Sequence, residues 1–133
     1  MKKILTLLFL LTICMSFLSG CSDKIDNKIT FKNFASNKVF VNFRASLISV
    51  EAGESLDITE IPKGKYTYET TFEVPTGTTS SKTDGDVSGE VNLAAGTKIL
   101  IVYSSTFVDG VYTISASVSS SDDLTSSGTP VSP

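Results

Sequence analysis

The chain has 133 residues with two Cys, no His and no Trp, and its 11 Lys+Arg against 14 Asp+Glu give a formal charge of -3. Without an imidazole there is no Ser-His-Asp or Cys-His hydrolase, no His-ligated zinc and no histidine general base. The length suits one domain, and the mildly acidic balance disfavours nucleic acid as a partner, since that needs a basic face.

Met1-Lys2-Lys3 is a short basic start, and Ile4 to Phe17 follows as an almost unbroken apolar run without charge. Residues 1–20 therefore read as a secretory signal peptide; the run is shorter than the roughly 20 residues of a membrane span. Small residues close it and lead into Leu18-Ser19-Gly20-Cys21. This tetrapeptide resembles the lipobox of bacterial lipoproteins, in which an aliphatic residue and two small ones precede the lipid-bearing cysteine. The resemblance implies that the Cys21 thiol takes up a diacylglyceryl group, that cleavage falls just before it, and that Cys21 becomes the mature N-terminus, in many bacteria also acylated on nitrogen, as with palmitate. Cleavage would leave 113 residues, remove Cys14, Lys2 and Lys3, and move the charge from -3 to -5. The single remaining cysteine would carry lipid, so no intramolecular disulfide is expected. Two or three acyl chains, at about 0.8 kcal/mol per buried methylene, anchor a protein without spanning the bilayer. By the same resemblance, Ser22 in place of Asp directs the protein to the outer membrane of a Gram-negative cell; in a Gram-positive cell it stays on the outer face of the cytoplasmic membrane.

Residues 21–28 are read as the lipidated cysteine and a short polar tether. Lys24, Lys28 and Lys32 fall in or near it, and are ordinary solvated lysines more readily than a lipid-facing patch. From Ile29 onward the apolar period is two. Ile29-Phe34, Val39-Phe43, Leu47-Val50 and Leu56-Ile58 are predicted strands, followed by Lys65-Val74, in which Tyr66, Tyr68, Phe72 and Val74 share the core face. Val87, Val91 and Leu93 share a face of the next strand, Asp86-Leu93. Ile99-Leu100-Ile101-Val102-Tyr103 is continuously apolar, as expected of a central strand covered on both sides. Val111-Val118 alternates again and pairs with Ile99-Ser104 through the Asp109-Gly110 turn. Further turns are predicted at Ser36-Asn37, Ala52-Gly53-Glu54, Pro62-Lys63-Gly64 and Ala95-Gly96. Pro75 to Thr83 reads as an unstructured connection, and residues 119–133 as a disordered Ser-rich tail.

About eight short strands and no helical stripe predict an all-β fold, an antiparallel β-sandwich over residues 29–118. Phe31, Phe34, Phe40, Phe43, Phe72 and Phe107 are its expected bulky fillers. The segment from Val50 to Tyr66, with Gly53, Pro62 and Gly64 at its turns, resembles immunoglobulin-like and transthyretin-like modules of bacterial envelope proteins. That resemblance implies a sandwich and no particular function. Leu93-Ala94-Ala95-Gly96-Thr97-Lys98-Ile99 also faintly echoes Val50-Glu51-Ala52-Gly53-Glu54-Ser55-Leu56, which two similar hairpin turns explain as well as a duplication does.

Three constellations are weighed for chemistry. Asp84, Asp86 and Ser88 occupy the first three ligand positions of an EF-hand-like calcium loop, with Gly89 at its turn and Glu90 beside it. Ala95 stands where the bidentate Glu belongs, however, so an acidic loop tip that keeps a sheet edge soluble is the simpler reading. Tyr66, Tyr68 and Phe72 form either a sugar platform or core, and the absence of Trp favours core. Glu69 and Glu73, four residues apart on one strand, lie about 13 Å apart, beyond the roughly 5–9.5 Å of glycosidase pairs. With no SxxK spacing and no Gly-x-Ser-x-Gly elbow in residues 21–133, no enzyme is expected. The expectation is a non-catalytic, lipid-anchored cell-envelope protein that meets the membrane through Cys21 and a protein partner through its strand edges or the Pro75-Asp86 loop. The alternative is a calcium- or glycan-dependent adhesin module using residues 84–90.

Overall fold

The computed structural model describes Lys3 and residues 26–122. The rest of the predicted signal peptide, Cys21, most of the tether and residues 123–133 lie outside the described residues. Among the described residues nine strands form two sheets: β1 (Lys28–Asn33), β2 (Val39–Phe43), β3 (Ser46–Val50), β4 (Ser55–Thr59), β5 (Gly64–Phe72), β6 (Ser80–Gly85), β7 (Gly89–Leu93), β8 (Lys98–Val108) and β9 (Val111–Ser120). One sheet has the order β4-β1-β8-β9-β6, the other β3-β2-β5-β7. Among the described residues no helix is long and apolar enough to cross a membrane.

The alternation read from the sequence places the core. Ile29 and Phe31 of β1, Ile101 and Tyr103 of β8, and Tyr112 and Ile114 of β9 point inward from the five-stranded sheet; Val39, Val41 and Phe43 of β2 and Tyr68 of β5 meet them from the other. Phe31 and Phe43 touch across the interior edge to face, with ring centres 6.2 Å apart, a favoured aromatic geometry. The β8–β9 hairpin turns at Asp109-Gly110 as predicted, with both residues at positive φ, 51° and 77°. These are the angles of a type I′ turn, whose twist matches that of the flanking strands.

Several expectations need correction. The fold is not purely antiparallel: β1 runs parallel to β8, and β6 parallel to β9. Part of the predicted loop Pro75-Thr83 is strand, because Ser80–Gly85 pairs with β9 from Val111 to Ala116. The period was unreadable there, since both faces of β6 are exposed. The apolar run of β8 is buried on one side only; Leu100 is exposed and Val102 half-buried on the outer face. Its β-branched character thus reflects a strand paired on both edges. Phe34 and Phe107 are 58% and 44% exposed rather than core, and Val74 lies beyond the end of β5. Asn27, assigned to the tether, is buried, and β9 runs two residues past Val118.

Two buried asparagines bracket β1. Asn33 accepts from the Ala35 N–H and donates through Nδ2 to the carbonyls of Asn37 and Val50, each at 2.9 Å. Its backbone N–H donates to Glu54 and its carbonyl accepts from Gly53. Asn27 accepts from Thr97 N–H at 2.8 Å and donates to the Ile61 carbonyl at 2.9 Å. Removing such an amide orphans buried backbone groups, at about 1–3 kcal/mol each. Asn33→Ala is therefore expected to lower unfolding stability by at least ~2 kcal/mol in urea, while Asn92→Ala on an exposed strand position stays within about 0.5 kcal/mol.

Candidate functional site

An open groove of about 840 Å³ runs across β2, β5 and β7, lined by Asn42, Arg44, Lys65, Tyr66, Glu69 and Glu90 among others. It gathers pieces of all three constellations weighed from the sequence. Glu69 comes from the carboxylate pair, Tyr66 and Tyr68 from the aromatic set, and Ser88 and Glu90 from the acidic loop. Pairing explains the assembly: in β5, Thr67 and Tyr68 lie beside Glu90 and Gly89 of β7, and Glu69 lies beside Asn42 of β2.

The side chains around the groove are fixed to different degrees. Tyr66 packs against Phe43 with ring centres 5.6 Å apart and donates to the Pro62 carbonyl at 2.7 Å. The Arg44 guanidinium sits 5.8 Å from the Tyr66 ring centre, within cation–π range. Lys65 and Glu90 face each other at 3.8 Å; both are exposed, so the pair contributes little stability. The groove thus presents two cations and two carboxylates around a half-buried ring, a lining that can hold a polar ligand of either sign.

Asp84, Asp86, Ser88 and Glu90 do not wrap one point. Asp84 is on β6 and Glu90 on β7, in different sheets, because residues 86–88 carry the chain from one to the other. The intervening groups are engaged in that crossing: Asp86 N–H donates to Ala116, its carbonyl accepts from Tyr68 Oη at 2.6 Å, and Ser88 Oγ accepts from Thr70 N–H at 3.0 Å. Gly85 has a φ of 69°, and a Cβ there would overlap the Ala116 carbonyl oxygen. The glycine is thus explained by the close approach of β6 to β9. Among the described residues, no group of three or more His, Cys, Asp or Glu is placed to hold a metal ion.

Sequence reasoning missed Arg44, because the β2–β3 turn lacks turn chemistry. Arg44 and Ala45 hold φ of 52° and 59°, angles that favour Asn and Gly and cost other residues about 1–2 kcal/mol each. Strain of this kind often accompanies a functional position; here it holds a guanidinium at the groove's lip.

A second surface lies at the far end of the molecule. Thr97 bonds both Asn27 and the Asp122 carboxylate, the latter at 2.8 Å, so both ends of the described chain meet at one end of the sandwich. The opposite end carries the loops 34–38, 51–54, 73–79 and 109–110, tied together by bonds such as Glu73 N–H to Lys38 O and Thr79 N–H to Gly110 O. Phe34, Val74, Phe107 and Val108, four of the seven large exposed apolar side chains among the described residues, lie there. A scan against family models finds no match, and a search of curated proteins finds none either.

Two predictions follow from the groove. Ala45→Gly relieves the positive φ and is expected to raise stability by up to about 1 kcal/mol, read as a higher urea midpoint. The hydroxyls of Tyr68 and Tyr103 are pushed up to about 12 by burial; the bond from Thr70 opposes the rise at Tyr103. Because the folded state holds these groups protonated above the usual tyrosine value of about 10, their contribution is full below pH ~10 and is lost as pH rises through ~12. A urea series across that window is expected to show a shallower loss in Tyr103→Phe than in the wild type.

Proposed function

We propose that the chain is a non-catalytic, lipid-anchored protein of a bacterial cell envelope, with Cys21 carrying the lipid, that presents an immunoglobulin-like sandwich for binding. The observation that carries this reading is the polarity of the fold. Asn27, six residues beyond Cys21, is fixed at one end together with Asp122, while four large exposed apolar side chains lie at the other. A tether of about six residues reaches only ~12–15 Å as a flexible coil, so an anchored domain would stand close to the headgroups with that apolar end outward. Exposed apolar side chains grouped on a rigid scaffold are what a protein partner buries. The groove, nearer the anchored end, supplies a separate polar surface. Lys28 and Lys98 at that end are partnered by Asp57 and Asp26, at 3.5 and 2.8 Å. They are thus solvated, paired lysines more than a lipid-facing patch.

The immunoglobulin-like part of the proposal rests on the two-sheet architecture; its departures are the two parallel pairs. The lipid part is tested by metabolic acyl labelling of the full chain in a bacterial host. Wild type is expected to take up label and sediment with membranes, and Cys21→Ser to do neither. Unchanged labelling and partitioning in the variant would sink the anchor.

A further inference from the structure

The four sheet edges are not alike. β4 carries Asp57, β6 carries Lys82 and Asp84, and β7 carries Glu90. Charges of this kind are how natural edges resist pairing with other chains. β3, the sequence Ser46-Leu47-Ile48-Ser49-Val50, has no charge, no proline and an uninterrupted register against β2. It also presents Leu47, at 71% the most exposed large apolar side chain among the described residues.

The turn fixes which backbone groups face outward. In a two-residue hairpin the flanking residues form a hydrogen-bonded pair, here Phe43 and Ser46. Ser46, Ile48 and Val50 therefore bond to β2, and the free edge presents the N–H and C=O of Leu47 and Ser49. The next outward carbonyl, that of Glu51, is taken by Glu54 N–H at 3.0 Å. We infer that β3 pairs antiparallel with β3 of a second copy of this chain about a two-fold axis through Ile48, making one continuous eight-stranded sheet.

This register places Leu47 opposite Ser49 of the second copy and the reverse, so the two donors and two acceptors of each edge are all used, in four bonds. Ile48 faces Ile48 as a non-hydrogen-bonded pair. Ala45 comes opposite Glu51 of the second copy, whose carboxylate stays paired with Lys38 of its own chain at 2.7 Å and so brings no unpaired charge to the seam. The partner is a second copy because one edge satisfies both halves of an isologous contact. A five-residue edge buries less than the ~1,600 Å² of a standard stable interface, so the association is weak and concentration-dependent.

The test uses residues 21–133 with Cys21→Ser, which keeps both sheets whole, removes any dependence on lipid and leaves no other thiol. Ile48→Cys in this background puts two thiols across the axis at the spacing of a non-hydrogen-bonded pair, within disulfide reach. Mild oxidation is expected to give a covalent dimer, lost on adding Leu47→Lys and absent from Asp57→Cys on the β4 edge. A folded Ile48→Cys chain that gives no more dimer than Asp57→Cys overturns the proposal. Should Ile48→Cys not fold, sedimentation equilibrium decides: a dimer at high concentration that Leu47→Lys abolishes supports the pairing. Monomers throughout, or a dimer indifferent to the substitution, overturn it.

Discussion

β1 is held between two buried asparagines, and the arrangement of both sheets depends on that clamp. The strand lies between β4 and β8 and so shares its backbone bonds with two neighbours of opposite direction. Each neighbour reaches it from an edge of the other sheet, through a tight turn. The turn at 51–54, joining β3 to β4, docks on Asn33 at one end of β1; the turn at 94–97, joining β7 to β8, docks on Asn27 at the other. A side-chain amide can accept and donate at once, so each Asn satisfies backbone groups that a sheet crossover would otherwise bury unpaired. The clamp therefore couples the placement of β1 to the way the sheets are joined.

The two similar segments that the sequence suggested as hairpin turns are instead turns between the sheets. The echo between Val50–Leu56 and Leu93–Ile99 has a common structural job, because both turns leave an edge strand of the four-stranded sheet and enter beside β1. Gly53 and Gly96 take the positive φ, 82° and 76°, that the turn needs. What stayed hidden was the receiving end. Asn27 fell in the tether because nothing local marks an amide whose partners lie 34 and 70 residues away; Asn33 fell within the predicted strand Ile29-Phe34, and its bond to Val50, 17 residues on, has no local mark either.

Elements with one buried face were legible: β2, β5 and β9 announced themselves through alternating Val, Phe, Tyr and Ile. β6 was not, since Ser80–Gly85 is exposed on both faces and is strand only because β9 supplies its bonds. Parallel pairing was illegible for a related reason, as it depends on which strand lies beside which and leaves no local period. The groove was half-legible. Its members from β5 and the acidic loop drew notice as chemistry-bearing types, but their convergence is a matter of register. Arg44 gave no signal, since Arg-Ala is an unfavoured pair for a two-residue turn.

The acidic loop shows how a motif changes meaning once its neighbours are known. Read along the chain, Asp84, Asp86 and Ser88 have the spacing of cation ligands; read in space, the segment is a crossover. Tyr68 reaches across to hold the Asp86 carbonyl, and Ser88 caps the exposed side of Thr70. Thr70 in turn shares a buried bond of 2.8 Å with Tyr103 of the opposite sheet. A line of polar contacts thus runs from the crossover through β5 to the middle of β8, in a core whose other side chains are mostly Ile, Val and Phe, with Tyr112, Leu93 and two alanines. A satisfied network of this kind is strongly orienting, because any slip of β5 against β8 would leave hydroxyls buried without partners. The same contacts fix the floor of the groove, so the register of β5 also governs the spacing of Tyr66, Glu69 and Glu90 at its surface.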